Sequence, residues 1–239
     1  MIPILWPDGG FEAAFEAVTH ILISAGPGED GDPTLAKFRR EISQIAPRLE
    51  WVGYLSTTGV YGDHQGGWVD ESTPLTASTK RGQLRINAEN DWKSISSLPL
   101  HIFRLAGIYG PGRGPFEKVR NGTARRIVKE NQVFSRIHVE DIAQILEASI
   151  KSPNPGSAYN VCDNEAAPPE DVIGYAAELL GQPVPPEIAF EDAELSPMAR
   201  SFYAESKRVD NSRIKEELGV ELRYPDYRVG LKALLTENV

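Results

Sequence analysis

"LEWVGYLSTTG", Leu49 to Gly59, is the stretch on which the fold turns. Its apolar residues give way to Ser56-Thr57-Thr58-Gly59, and a short apolar run bounded by such residues reads as a buried strand. Upstream, "THILISAG" (Thr19–Gly26) has the same form and is closed by Gly-Pro-Gly. Between the two, Leu35, Phe38, Ile42 and Ile45 recur at helical spacing over Thr34–Ile45. Downstream, "RGQLRINAENDWKSI" (Arg81–Ile95) sets Leu84, Ala88 and Trp92 on one helical face.

The alternation continues. "LHIFRLAGIYGPGR" (Leu100–Arg113) reads as a strand running into a Gly/Pro loop. "RIHVEDIAQILEAS" (Arg136–Ser149) turns from strand to helix, with Ile142, Ile145 and Leu146 as its apolar stripe, and "GSAYNVCD" (Gly156–Asp163) is a further strand. Helices over Pro169–Leu180 and Ser212–Leu218 stop at Gly181 and Gly219, which take the left-handed position cheaply. Strands alternating with helices imply βαβ units and a parallel sheet. The fold class is α/β. Gly181–Arg208, rich in proline and acidic residues, is expected to form loops of a small C-terminal lobe.

Composition narrows the partners. The 239 residues are 41% hydrophobic and 25% charged, with a formal net charge of −9. An acidic surface repels phosphate backbones, so nucleic acid and anionic membranes are poor partners. Cys162 is the single cysteine, which rules out an internal disulfide; in its strand it reads as a small core hydrophobe. His20, His64 and His101 show no metal-ligand spacing, and no metal is expected. No apolar run approaches the ~20 residues of a membrane span. "MIPILWPDGG" has no basic region followed by a long apolar stretch, so no signal peptide is expected and the cytoplasm is the default compartment.

Ligands of open α/β sheets bind beyond the carboxyl ends of the strands. Three strands here end in small residues: Ser24-Ala25-Gly26, Ser56-Thr57-Thr58-Gly59 and Ala106-Gly107. Each run alone makes a turn; together they let a planar ligand approach the backbone.

"LSTTGVYGD", "VDESTP", "FRLAGIYGPGR" and "RIHVEDIA", in that order, resemble the extended short-chain dehydrogenase/reductase superfamily, the NAD-dependent epimerases and dehydratases. "STTGVYGD…GGWVDE" and the closing "RYPDYRVGL" look most like an atypical subgroup of it. The resemblance runs from about Thr19 to Leu231. It implies a Rossmann-like nucleotide-binding domain over residues 1–160 and a mixed segment over 161–239 carrying the substrate lobe. It also implies NAD or NADP as cofactor, a small, possibly nucleotide-linked substrate and a homodimer.

Carried over by residue, the resemblance makes Thr57 the catalytic hydroxyl, three places before the Val of V-Y-G. Ser24, Ala25, Gly26, Arg85, Ala106, Gly107 and Ile108 fall at cofactor-lining places, and Thr58, Tyr109 and Arg136 at substrate-lining ones. Thr58 and Gly59 stand where dehydratase members carry an Asp-Glu pair. The family's Y-x-x-x-K, counted back from Glu89, falls on Arg81 and Arg85. Tyrosine serves there because neighbouring positive charge lowers its pKa; arginine stays protonated and cannot cycle a proton at neutral pH. Arg85 is then either a guanidinium for ribose or phosphate oxygens or part of a solvated helix face. Tyr61, Tyr109 and His138 are the other proton carriers in reach, each also at home in the framework, and Asp141 reads as a helix-start carboxylate.

No G-x-x-G-x-x-G precedes Thr19, although the paired glycines of "PDGGF" (Pro7–Phe11) do. The family's opening strand–turn–helix cradles a pyrophosphate. Its absence implies an N-terminally truncated sheet whose "HILIS" strand is an uncovered apolar edge. Two functions are consistent with these residues: an NAD(P)-dependent oxidoreductase or epimerase acting on a nucleotide sugar or similar polar metabolite, and a non-catalytic nucleotide-binding or sensor protein on the same scaffold.

Overall fold

The structure, a computed structural model, describes residues 4–6 and 9–237. After α1 (Glu12–Ala17) come β1 (His20–Ile23), α2 (Pro33–Ile45), β2 (Trp51–Thr57), β3 (Trp68–Val69), α3 (Lys80–Lys93), β4 (Leu100–Leu105) and β5 (Gly107–Tyr109). The chain continues through α4 (Phe116–Arg120), β6 (Arg126–Val128), β7 (Arg136–His138), α5 (Val139–Lys151), β8 (Ala158–Val161) and α6 (Pro169–Leu179). It closes with β9 (Glu187–Ala189), α7 (Pro197–Phe202), β10 (Arg208–Val209), α8 (Ser212–Leu218) and α9 (Tyr227–Glu237).

Local chemistry sets the boundaries. Pro33 opens α2 behind Asp32, whose Oδ1 accepts the Thr34 and Leu35 amides at 2.9 and 3.0 Å. Thr79 starts α3 by accepting the Gly82 amide at 3.2 Å.

β1, β2, β4 and β8 form a four-stranded parallel sheet in the order β1-β2-β4-β8. A parallel sheet is covered on both faces, and this one is over β2, β4 and β8. On one side Val52, Tyr54 and Ile102 pack with Leu35, Phe38 and Ile42 of α2 and Ala88 and Trp92 of α3. On the other, Trp51, Phe103, Leu105, Tyr159 and Val161 meet Ile142 and Ile145 of α5 and Ile214 of α8. Gly53 sits mid-strand for a reason: the Trp51 indole lies over it, and a Cβ there would fall 2.1 Å from the ring.

Three sequence expectations are corrected. Leu100–Arg113 is not one strand. The Ala106 amide bonds Val161 O and the Gly107 amide bonds Ser135 O, so the chain changes partner and β5 pairs with β7 instead. Thr19–Gly26 is paired only over His20–Ile23. Gly181–Arg208 is not all loop, because β9 pairs in parallel with β6 and α7 begins at Pro197 behind the Ser196 cap. β1 has no outer neighbour among the described residues, and Leu22 on it is 49% exposed. Pro7 and Asp8 of "PDGGF" lie outside the described residues.

Candidate functional site

The parallel register brings three strand ends to one edge. Ile23 pairs with Tyr54 and Thr57 with Leu105, so Ser24–Gly26, Thr57–Gly59 and Ala106–Gly107 all follow from neighbouring carboxyl ends. A Cβ on Gly26 would meet only Arg85 Nη2, at 3.4 Å. Arg85 Nη1 donates to Leu55 O at 2.6 Å and to Tyr54 Oη at 3.1 Å, so α3 lays its guanidinium across the ends of β1 and β2. Thr57 accepts the Gly59 amide through Oγ1 at 3.2 Å, which starts the tight turn Thr58–Tyr61. Thr57, Thr58 and Ile108 are partly exposed, Gly107 is exposed and Ala106 is buried.

Arg81 takes a different direction from Arg85. Its guanidinium lies 4.7 Å over the Phe202 ring of α7, while neighbouring Lys80 pairs with Glu29 beyond β1. The two residues at the Tyr and Lys places therefore have separate duties, one on the C-terminal segment and one on the strand ends.

Behind this edge runs a charged network that the sequence reading did not find. Register places Ser56, Arg104 and Asn160 in one row across β2, β4 and β8, on the α3 side. Glu89 of α3 fills the row: it accepts Ser56 Oγ at 2.6 Å and Arg104 Nε and Nη2 at 3.2 and 2.9 Å. Arg104 Nη1 donates to Tyr61 Oη at 2.9 Å, and Tyr61 donates to Asn160 Oδ1 at 2.7 Å. Burial pushes the Tyr61 pKa up to about 12 against the pull of Arg104, so at neutral pH Tyr61 is a fixed donor and no proton shuttle. The signal was present as an arginine inside the apolar run "LHIFRL", which must find a carboxylate when buried.

A second polar group lies where β7 begins and β8 ends. Arg136 Nη1 donates to Phe134 O at 2.7 Å and Ala167 O at 3.1 Å. The residue keeps some exposure, and burial holds its pKa below the usual arginine value against nearby Asp163. Asp163 is 2% exposed; its amide donates to Arg136 O at 2.6 Å and its Oδ1 accepts the Glu165 amide at 3.2 Å. Its Oδ2 has no hydrogen-bond partner. Burial pushes the Asp163 carboxyl up to about 8, helped by Asp226 and Glu165 and opposed by Arg136. Tyr109 packs its hydroxyl against Gly230, where a Cβ would fall 2.0 Å away, and burial raises its pKa. His138 caps α5, its Nδ1 accepting the Glu140 amide at 3.3 Å. Asp141 does more than favour the start of that helix, because its carboxylate accepts the Arg223 and Tyr224 amides at 2.8 and 3.1 Å and anchors the approach to α9.

None of the protein-family profiles compared with the chain matches it. A functionally unknown conserved protein from Silicibacter pomeroyi DSS has a solved structure that is 60% identical in sequence. The match covers 99% of this chain and 83% of that one, with a TM-score of 0.94. A Methylobacillus flagellatus protein, provisionally assigned to the NAD-dependent epimerase/dehydratases, is 28% identical. It matches over 85% of this chain and 70% of its own, with a TM-score of 0.64. In fold and sequence this chain is similar to the NAD-dependent epimerase/dehydratase superfamily. Protein YeeZ of Escherichia coli is 34% identical over 185 residues, which are 77% of this chain. The match spans 62% of YeeZ, so the chain covers less than two thirds of that relative. At 18% identity, where likeness concerns the fold alone, a dTDP-glucose 4,6-dehydratase from Bacillus anthracis was solved in complex with NAD. It superposes with a TM-score of 0.74 over 95% of this chain and 75% of its own.

In an epimerase/dehydratase fold the cofactor spans the carboxyl edge, and the residues here fit it in part. The small residues after β1 and β4, with the space beside Gly26, suit a flat group against the backbone. The described residues include no Gly-rich strand–turn–helix to cradle a pyrophosphate, and the exposed segment after β1 is tied instead by the Gly28–Gly31 turn. Among the described residues no group of three His, Cys, Asp or Glu is placed to hold a metal ion. Cys162, next to the end of β8, is fully buried, and its thiol donates to Val209 O at 3.2 Å. No helix of the described residues is long and apolar enough to cross a membrane.

Proposed function

We propose that this chain is an NAD(P)-linked oxidoreductase or epimerase-like protein that takes a nucleotide-linked sugar or similar polar metabolite at the carboxyl edge of β1, β2 and β4. The observation that carries the reading is the convergence of Ser24–Gly26, Thr57 and Ala106–Gly107 on neighbouring strand ends, with Arg85 beside Gly26. Thr57 is the hydroxyl that meets the reacting oxygen of the ligand. Arg85, already bound to Leu55 O and Tyr54 Oη through Nη1, turns its Nη2 toward Gly26 and the cofactor side. Arg136 and Tyr109 border the substrate. When bound, the nicotinamide supplies hydride chemistry; the protein orients the ligand and excludes water.

A second reading, nucleotide binding without turnover, is favoured by the positions of Arg81 and Arg85. Arg81 is stacked on Phe202, and neither guanidinium can move a proton at neutral pH. Thermal unfolding of the full chain with NAD⁺, NADH, NADPH and UDP-glucose separates the two. A ligand at about 100 times its Kd adds about 2.7 kcal/mol, a rise of several degrees. A rise with turnover at 340 nm that Thr57→Val abolishes, cofactor affinity unchanged, supports the enzyme. A rise with no turnover supports the binding protein, and no rise with any nucleotide contradicts both.

A further inference from the structure

The closed row behind the edge does more than join strands. The turn Thr58–Tyr61, with Thr57 at its head, is bounded on both sides by members of that row. Just before it, Ser56 Oγ donates to Glu89 Oε1 at 2.6 Å. At its far end, Tyr61 Oη accepts from Arg104 Nη1 at 2.9 Å and donates to Asn160 Oδ1 at 2.7 Å. Glu89 and Arg104 are themselves joined by two hydrogen bonds, so one buried ion pair grips both ends of a single turn.

The helix that carries Glu89 adds further holds. One turn earlier on α3, Arg85 donates to Leu55 O, so Arg85 and Glu89 take consecutive residues of β2. In the first turn of α3, Gly82 lies so near that a Cβ on it would fall 2.7 Å from the Gly59 carbonyl oxygen. Thr76 Oγ1 donates to Tyr61 O at 2.8 Å. Residues 57–60 thus run between two pinned ends with a helix against their middle, while Thr57 and Thr58 stay partly exposed. A hydroxyl is aimed by what locks its neighbours: a loose turn spreads it over many positions, a held one presents it in few.

We propose that Glu89 and Arg104, acting through Ser56 and Tyr61, are positioning residues, a clamp that fixes the Thr57–Thr58 turn for the ligand. What meets Thr57 rests on the proposed function; the clamp itself needs no ligand and can be tested without one. α3 then has two tasks one turn apart: Arg85 serves the cofactor side, and Glu89 sets the reacting hydroxyl. Ser56 is the link that can be cut cleanly. In Ser56→Ala, Glu89 keeps both Arg104 bonds and Lys93 at 3.7 Å, so no buried charge loses its partner.

Amide hydrogen exchange and NAD⁺ shift mapping on the full chain test the clamp. The Gly59 amide is bonded to Thr57 Oγ1 and the Gly62 amide to Gly59 O, so both report on the turn. Losing a hydrogen bond to a charged group should speed their exchange in Ser56→Ala by about tenfold or more, with the Val52 and Ile102 amides of the sheet unchanged. NAD⁺ should still shift the amides of Ser24–Gly26, while the wild-type response of Thr57–Gly59 is lost. Ser56→Thr, which restores the hydroxyl, should recover both readouts, a rescue that a general loss of stability would not give. Tyr61→Phe releases the other end and should speed the same two amides, so the test stands even if Ser56→Ala does not fold. Unchanged exchange at Gly59 and Gly62 overturns the clamp, and so does a Thr57–Gly59 response to NAD⁺ that Ser56→Ala retains. If the wild type shows no response to NAD⁺ anywhere, the proposed function fails and the exchange rates still decide the clamp.

Discussion

Two buried polar regions stand at the carboxyl end of the sheet, and they are built on opposite terms. In the row Ser56–Glu89–Arg104–Tyr61–Asn160, Glu89 is fully buried and meets Arg104 through two hydrogen bonds. In the Arg136–Asp163 region the guanidinium is engaged only through Nη1, the Asp163 Oδ2 has no partner, and burial holds that carboxyl near 8. A satisfied buried network specifies position, while an unsatisfied one is costly to stability unless something binds. The first region therefore reads as framework, and the second carries an uncompensated cost of burial.

The largest effect should come from breaking the closed row. Glu89→Ala leaves the Arg104 guanidinium buried without its carboxylate, a loss of about 3–5 kcal/mol in urea unfolding. A loss below about 1 kcal/mol would remove the row from the framework. Gly53→Ala follows, because a methyl 2.1 Å from the buried Trp51 ring forces a repacking that costs about 1–3 kcal/mol in the same measurement.

Opening the comparison from the other side reverses the sign. Asp163 is an acid whose folded pKa, about 8, lies above its unfolded value of about 3.9. Below both values the carboxyl is protonated in both states and imposes no penalty. As pH rises between them the unfolded chain releases the proton and the folded one holds it, so stability falls until about pH 8 and then levels. Asp163→Asn removes this dependence and should be more stable than the wild type by a margin that grows from about pH 4 to about pH 8. Denaturant midpoints across that range check it, and parallel curves for the two proteins would show that Asp163 is not held as described. The smallest effect is expected at Arg81→Ala, where an exposed stack on Phe202 contributes about 0.5–1 kcal/mol.

The same contrast explains what the sequence could disclose. Strands β2, β4 and β8 were legible because both faces of a parallel sheet are buried, which leaves continuous runs such as "WVGYL" and "HIFRL". Thr57, Gly107 and Arg136 were placed through motif order, since backbone register alone brings strand ends together. The break at Ala106 was hidden because it depends on which carbonyl each amide finds, Val161 O or Ser135 O, and both partners lie far along the chain. Glu89 served only to count back to Arg81 and Arg85, although its partner Arg104 was visible in an apolar strand. Asp163 gave no signal at all: an aspartate after a strand usually begins a turn, and only the fold shows that it is enclosed. β9 and α7 were missed because proline-rich, acidic sequence outweighs short paired segments in any reading by periodicity.

The central claim is that the ends of β1, β2 and β4 form one nucleotide-binding edge, and amide shift mapping during titration with NAD⁺ tests it most directly. The amides of Ser24–Gly26, Thr57–Gly59 and Ala106–Ile108 should shift together on a single saturation curve. Shifts confined to the groove between α1 and α2, lined by Phe11, Phe15 and Phe38, with those three segments unmoved at saturation, would contradict it.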